Sequence, residues 1–249
     1  EKKTFYGVLN ENLRYGENPH QEGSFYSNLA EKNIKQLHGK KLSFNNYNDI
    51  FSALEISESF KDNTTAIIKH TNPCGVSVDK NPINSFKKAL SSDPISAFGG
   101  VVCCNFKISK NLAHEINKNF FEIIIAKGFE KNEFKILKTK KNIRLIDANK
   151  YINKLNQNMI FHKNTFLLQD LDQKIIDKKK LTIVSNKKPS NAQWDDLIFA
   201  FKVCKNVKSN AIVLANNQTT VGIGSGQPNR LDSCKIAINK ARQFQKKKI

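Results

Sequence analysis

Apolar residues come in short bursts along this chain, and the spacing inside each burst predicts its element. TAIIKH (65–70) is an apolar, β-branched run that predicts a strand, buried until its last two positions. NPINSFKKAL (81–90) predicts a helix, with Asn81 as cap and Pro82 at the first helical position. SKNLAHEINKNF (109–120) and NEFKILKT (132–139) also predict helices, while VVCCNF, FEIIIAKG (121–128) and NIRLID predict strands. DPISAFGG (93–100) reads as a loop feeding VVCCNF, and residues 1–50 read as irregular and turn-rich. Strands alternating with helices imply a mostly parallel sheet covered on both faces.

From about 150 to 190 the pattern loosens into Lys- and Asn-rich sequence, which places a subdomain boundary there: 1–175, then 176–249. The rhythm then returns. Trp194, Leu197, Ile198 and Phe201 fall on one face of a helix. NAIVLANN (210–217) and TTVGIG (219–224) predict two strands of a hairpin joined through NNQT, and NRLDSCKIAINKARQF (229–244) predicts a final helix. The sequence stops at KKKI with no closing strand, so the second unit is expected to be incomplete and apolar faces such as Trp194/Phe201 uncovered.

Length and composition narrow the class. A chain of 249 residues, 39% hydrophobic and 25% charged, suits one large α/β domain or two smaller ones. No apolar run approaches the roughly 20 residues that span a bilayer. The polar start, without an initiator Met, suggests an excised piece. The net charge of +19 invites a nucleic-acid partner, yet only 4 of the 41 basic residues are Arg, and Lys and Asn are spread through almost every segment. That pattern is expected of a solvated surface rather than a base-reading one. The five cysteines show no metal-ligand spacing, and adjacent Cys103 and Cys104 point to opposite faces of a strand, as expected of reduced core thiols in a cytoplasmic protein.

Four stretches carry candidate chemistry. Lys69-His70 lies at a strand's carboxyl end, where α/β sheets bind ligands. An ammonium beside an imidazole favours the neutral, proton-accepting ring and can stabilise a developing oxyanion, although the same spacing also fits a pair that packs on the rim. RYGENPHQ (14–21) presents Arg14, suited to a planar contact such as phosphate or simply to the surface. SAFGG (96–100) lets backbone approach a ligand beside an aromatic face. GIGSGQPNR (222–230) has its third glycine misplaced for a dinucleotide fingerprint.

In order, LRYGENPHQ, IKHTNPCG, DPISAFGG, FEIIIAKGFE, KSNAIVLANN and VGIGSGQPNR resemble the transformylase half of the bifunctional AICAR transformylase/IMP cyclohydrolase family (AICAR is 5-aminoimidazole-4-carboxamide ribonucleotide). The resemblance covers nearly the whole chain. It implies transfer of a formyl group from 10-formyltetrahydrofolate, a folate co-substrate, to the 5-amino group of AICAR in de novo purine synthesis. It implies His70 as proton acceptor, Lys69 as its electrostatic partner and Asn210 as the residue orienting the reacting groups. Arg14 and Tyr15 match the AICAR phosphate and base positions, Phe98 and Gly99 the loop beside the substrate, Glu122 an acidic position at the ribose or folate end, and Arg230 and Leu231 the folate side.

The implied fold is an α/β, cytidine-deaminase-like three-layer sandwich, duplicated as two subdomains and working as a cytoplasmic homodimer without metal, nucleic acid or membrane. The family's cyclohydrolase domain and a distal substrate-contacting segment are missing from this sequence, so the chain is expected to be a fragment with no transformylase activity alone. Two rivals predict different residues or behaviour. A zinc deaminase needs His-x-Glu and Pro-Cys-x-x-Cys, whereas His70 is followed by Thr71-Asn72 and Cys74 by Gly75-Val76-Ser77. A basic RNA-binding module predicts affinity that falls steeply with salt.

Overall fold

The computed structural model describes residues 2–27, 34–151, 157–174 and 176–245. Glu1, the closing KKKI and residue 175, at the expected subdomain junction, lie outside the described residues. The elements are β1 (Val8–Asn12), β2 (Ser24–Ser27), β3 (Lys35–His38), α1 (Phe44–Glu58), β4 (Thr64–Lys69), β5 (Asn72–Val78), α2 (Pro82–Ser92), α3 (Pro94–Ala97), β6 (Val101–Cys104), α4 (Lys110–Asn117), β7 (Ile123–Ala126), α5 (Lys131–Lys138) and β8 (Arg144–Asp147). They are followed by β9 (Gln157–His162), β10 (Thr165–Asp170), α6 (Asn191–Cys204), β11 (Ile212–Ala215), β12 (Thr220–Gly224) and α7 (Arg230–Phe244).

A six-stranded sheet of order β3-β8-β7-β6-β4-β5 forms the middle layer. Each strand divides its side chains between two cores by simple alternation. Ala66, Ile68, Val101, Cys103, Ile123 and Ile125 join α1's Ile50, Ala53 and Leu54, together with Phe199, Val203 and Ile223 from later in the chain. Ile67, Val102, Cys104, Ile124 and Ala126 face Phe86 and Ala89 of α2, Leu112 and Ile116 of α4, and Leu137 of α5. Cys103 and Cys104 thus serve opposite cores, as the strand period requires. The result is an α/β sandwich with helices on both faces of the sheet.

Several expectations change. The sheet is mixed: only β6, β7 and β8 run parallel, while β4 is antiparallel to both β5 and β6, and β3 is antiparallel to β8. A tight hairpin at 70–71, with no crossover between β4 and β5, is the reason. Residues 1–50 are not wholly irregular. They contain the β1–β2 hairpin, β3 and the start of α1, whose capping box pairs Ser43 with Asn46. The 93–100 loop holds the short helix α3, capped by Asp93. The 150–190 stretch holds the β9–β10 hairpin. On α6 the buried residues are Phe199 and Val203, whereas Leu197 and Phe201 of the predicted stripe are 54% and 59% exposed. The helix carries two apolar faces, and the sheet side takes the other one.

One unit occurs twice. The succession α1–β4–β5–α2 is matched by α6–β11–β12–α7, device for device. Ser43 and Ser190 both close capping boxes. Asn81 and Asn229 cap the closing helices. A Cβ on Gly75 or on Gly222 would lie 2.0 Å from the carbonyl oxygen of Ala89 or Ala237 respectively, so each hairpin accepts its closing helix only where no side chain intervenes. Asn63 Nδ2 donates to the Lys80 carbonyl and Asn210 Nδ2 to the Gln227 carbonyl. The units meet along β5 and β12, bridged antiparallel at Ser77–Thr219, with Val78 N–H donating to the Gln218 carbonyl.

Candidate active site

Lys69 ends β4, and His70 and Thr71 form the turn into β5. Because β4 is antiparallel to β6, the carboxyl end of β4 coincides with the amino ends of β6, β7 and β8. The lysine–histidine pair therefore adjoins Phe98-Gly99, just before β6, and shares its sheet edge with Glu122, just before β7, and Arg144, at the start of β8. The sequence places it at one strand's end; strand direction gathers three further strands around it.

The pair has fixed geometry. Lys69 Nζ donates to the Phe98 carbonyl at 2.8 Å, which ties the ammonium to the loop before β6. Gly99 N–H donates to the Phe120 carbonyl at 2.8 Å, and the Phe98 and Phe120 rings lie 5.1 Å apart. Phe98 remains 64% exposed, an aromatic face available to a planar ligand. His70 is exposed and has a left-handed backbone (φ 52°), as does Thr71 (φ 62°). Thr71 N–H donates to Asp49 Oδ1 of α1 at 2.6 Å. Burial pushes the Asp49 carboxyl above its ordinary value, while the Thr71 amide and His70 draw it back down.

A cavity of 460 Å³ opens on the same edge, lined by Arg14, Lys40, Glu122, Lys140, Lys141 and Arg144 among others. Five cations around one carboxylate suit an anionic group. Arg14 is brought there by backbone pairing of its segment with the entry to α1: Arg14 N–H donates to the Leu42 carbonyl and Phe44 N–H to the Tyr15 carbonyl. Its guanidinium donates to Tyr15 Oη at 2.8 Å and lies 4.6 Å from that ring's centre. Glu122 accepts from Asn46 Nδ2 at 3.3 Å and faces Arg144 at 3.8 Å. Burial lowers the Arg144 guanidinium from its ordinary value, and Glu122 opposes that shift.

Asn210, Arg230 and Leu231 belong to the second unit. Asn210 donates to the carbonyls of Gln227 and Pro228, and Arg230 and Leu231 open α7, with Leu231 64% exposed. The antiparallel sense of β12 against β5 carries this group back toward the end where His70 lies. Asn210 bonds to Gln227, Pro228 and Ser233, all within the second unit, so its relation to His70 is one of shared edge. Cys74, the element of the deaminase rival, is buried, and burial pushes its thiol up to about 12, which marks it as a core thiol.

Sequence reading missed Asp49, Asn46, Lys40, Arg144, Lys140 and Lys141. A signal existed for the first two. Ser43-x-x-Asn46 precedes Tyr47, Ile50, Phe51 and Leu54 at i, i+3, i+4, i+7, a capped amphipathic helix hidden in the stretch read as irregular. Nothing local marks the lysines, since Lys is everywhere in this chain.

A family profile described as the AICARFT/IMPCHase bienzyme matches residues 1–240. The chain is 43% identical over 236 residues to the bifunctional purine biosynthesis protein PurH of Acetivibrio thermocellus, covering 92% of this chain and 46% of that protein. It is 42% identical over 247 residues to the protein of the same name from Anoxybacillus flavithermus, covering 97% and 48%. For that of a Thermoanaerobacter species the figures are 44% over 237 residues, 93% and 46%. The chain thus spans about half the length of the curated relatives it matches.

Proposed function

The chain belongs to the AICARFT/IMPCHase bienzyme family, and from that premise we propose that its Lys69–His70 edge transfers the formyl group of 10-formyltetrahydrofolate to the 5-amino group of AICAR. The observation that carries this reading is the Lys69–Phe98 tie, which holds an ammonium next to a histidine at the sheet edge where the cationic cavity also opens. The AICAR amine is conjugated with its ring and is a weak nucleophile. As its nitrogen bonds to the formyl carbon, His70 takes the amine proton and Lys69 stabilises the negative charge growing on the formyl oxygen. Collapse of that intermediate breaks the bond from the formyl carbon to the folate nitrogen, which leaves with a proton as tetrahydrofolate. Both substrates' atoms are then accounted for.

In this reading Arg14 and the cavity lysines hold the phosphate, Tyr15 and Phe98 flank the base, Gly99 lines the loop, and Glu122 meets the ribose. Asn210 orients the amine, and Arg230 and Leu231 line the folate side. The two units become halves of one transformylase module, 1–175 and 176–249. The complete protein is a cytoplasmic homodimer with an IMP cyclohydrolase domain. Among the described residues no helix is long and apolar enough to cross a membrane.

The test is His70→Ala in the full-length protein, assayed by tetrahydrofolate release. The expected result is a kcat loss of about 10²–10⁴-fold with AICAR binding largely retained, because a base acts in the transition state. An unchanged kcat with a raised KM overturns the assignment.

A further inference from the structure

His70 and Thr71 are two successive non-glycine residues in the left-handed region, a backbone unfavourable to residues with a Cβ that persists only where the surroundings hold it. What holds it is Asp49. From the sixth position of α1 its carboxylate accepts the Thr71 amide at 2.6 Å, and the His70 amide lies close enough to lower its pKa as well. The His70 carbonyl is pinned from the other side by Thr71 Oγ1 at 2.6 Å and Asn72 Nδ2 at 3.0 Å. With both ends of its peptide unit fixed, the direction of the Cα–Cβ bond that carries the His70 ring out of the hairpin is fixed too.

The second unit repeats the device without the chemistry. Asp196, again the sixth residue of its helix, accepts the Asn217 amide at 3.0 Å and the Gln218 amide at 2.6 Å, and both residues have φ 51°. There the turn presents Asn and Gln, and it lies at the far end of β5, beside Val78.

We propose that Asp49 is a positioning residue for His70, acting through the amides of the turn to aim the ring at the substrate amine, and that Asp196 is the same clamp with nothing catalytic to aim. The proposal rests on the transformylase reading of His70. Preorganisation of this kind acts on the chemical step, since a misplaced base forfeits rate more than substrate affinity.

The experiment compares Asp49→Ala, Asp49→Asn, Asp196→Ala and His70→Ala in the full-length protein, measuring kcat and KM for AICAR and the urea midpoint of each. Asp49→Ala and Asp196→Ala are expected to lose comparable stability. Only Asp49→Ala is expected to lower kcat per folded molecule by about tenfold or more with KM within about threefold, and Asp49→Asn, which keeps one acceptor oxygen, to recover part of that loss. If Asp49→Ala does not fold, Asp49→Asn decides, with a kcat below wild type and an unchanged KM as the supporting result. A smaller effect at Asp49, or an equal kcat loss at Asp196, overturns the proposal. Full activity in His70→Ala instead overturns the base assignment, so the two failures are separable.

Discussion

The two helix–hairpin–helix units share their frame and differ in what the frame displays. Each has a serine capping box, an aspartate clamp, a left-handed turn, a glycine under an alanine of the closing helix and an asparagine cap. The first unit puts Lys69-His70-Thr71 at its turn, on the sheet edge where the cationic cavity opens; the second puts Asn216-Asn217-Gln218 at its own, beside Val78 at the opposite end. Frame and displayed side chains are therefore separable here. Capping, clamping and close helix approach make a hairpin of defined shape, and three residues at its tip set which side chains it presents.

The most severe way to break the comparison is to give the first hairpin the second one's tip. His70→Asn with Thr71→Gln should preserve the fold, since the Asn-Gln pair already adopts this backbone under an aspartate clamp, and should lower kcat by about 10²–10⁴-fold, roughly 3–5 kcal/mol in barrier. Turnover close to wild type would mean that the tip residues are not the chemical difference.

The frames themselves are compared by Gly75→Ala and Gly222→Ala. Each added methyl meets a helix carbonyl at 2.0 Å, so each should cost about 1–3 kcal/mol or more in urea unfolding. Similar losses would sharpen the equivalence, whereas a tolerated substitution at one glycine alone would break it.

Arg14 belongs only to the first unit's cavity. Arg14→Lys should weaken AICAR about tenfold, ~1.4 kcal/mol, while leaving the dephosphorylated riboside and the folate unaffected, because lysine cannot supply the planar two-donor contact. Equal weakening of nucleotide and riboside would remove phosphate from its role.

The smallest effect concerns the tie between the units. Lys240 of α7 lies 2.6 Å from Asp93, which is buried at the start of α3. Burial pushes the Asp93 carboxyl up, but Lys240 and the Ser96 hydrogen bonds outweigh it and hold the group below its ordinary value. A depressed folded pKa contributes stability above the unfolded carboxylate range, near pH ~4, that is lost as pH falls through the folded value. Asp93→Asn should therefore lie about 1 kcal/mol below wild type near neutral pH, with the gap closing under acid. A gap in urea midpoints that is constant from acid to neutral pH would show that the tie is not ionic.

Much was legible in the chain itself. The continuous apolar runs at 65–70, 101–104 and 123–126, the Asn81-Pro82 helix start and the second hairpin were all readable, because each depends on contacts a few residues away. The Lys69-His70 pair was legible as a strand-end feature, and its spacing fitted a reacting pair and a pair packed on the rim alike. Strand direction was not legible: alternating strands and helices suggest a parallel sheet, and only the tight turn at His70-Thr71 reverses β4 against β6. Nor was the choice between the two apolar faces of α6, which depends on what lies beneath the helix rather than on its own period.

Local elements and the candidate groups at their ends could be read from the chain, because capping, apolar runs and side-chain chemistry are properties of short segments. Where those groups sit relative to one another came from the fold. Asp49 reaches the turn after β4 from a helix in a stretch that looks irregular, Arg14 lines one cavity with Glu122, and Asp196 copies a clamp whose partners follow in a later hairpin. Such pairings join residues far apart in the chain and depend on strand order and direction, which no local pattern of apolar and polar positions encodes.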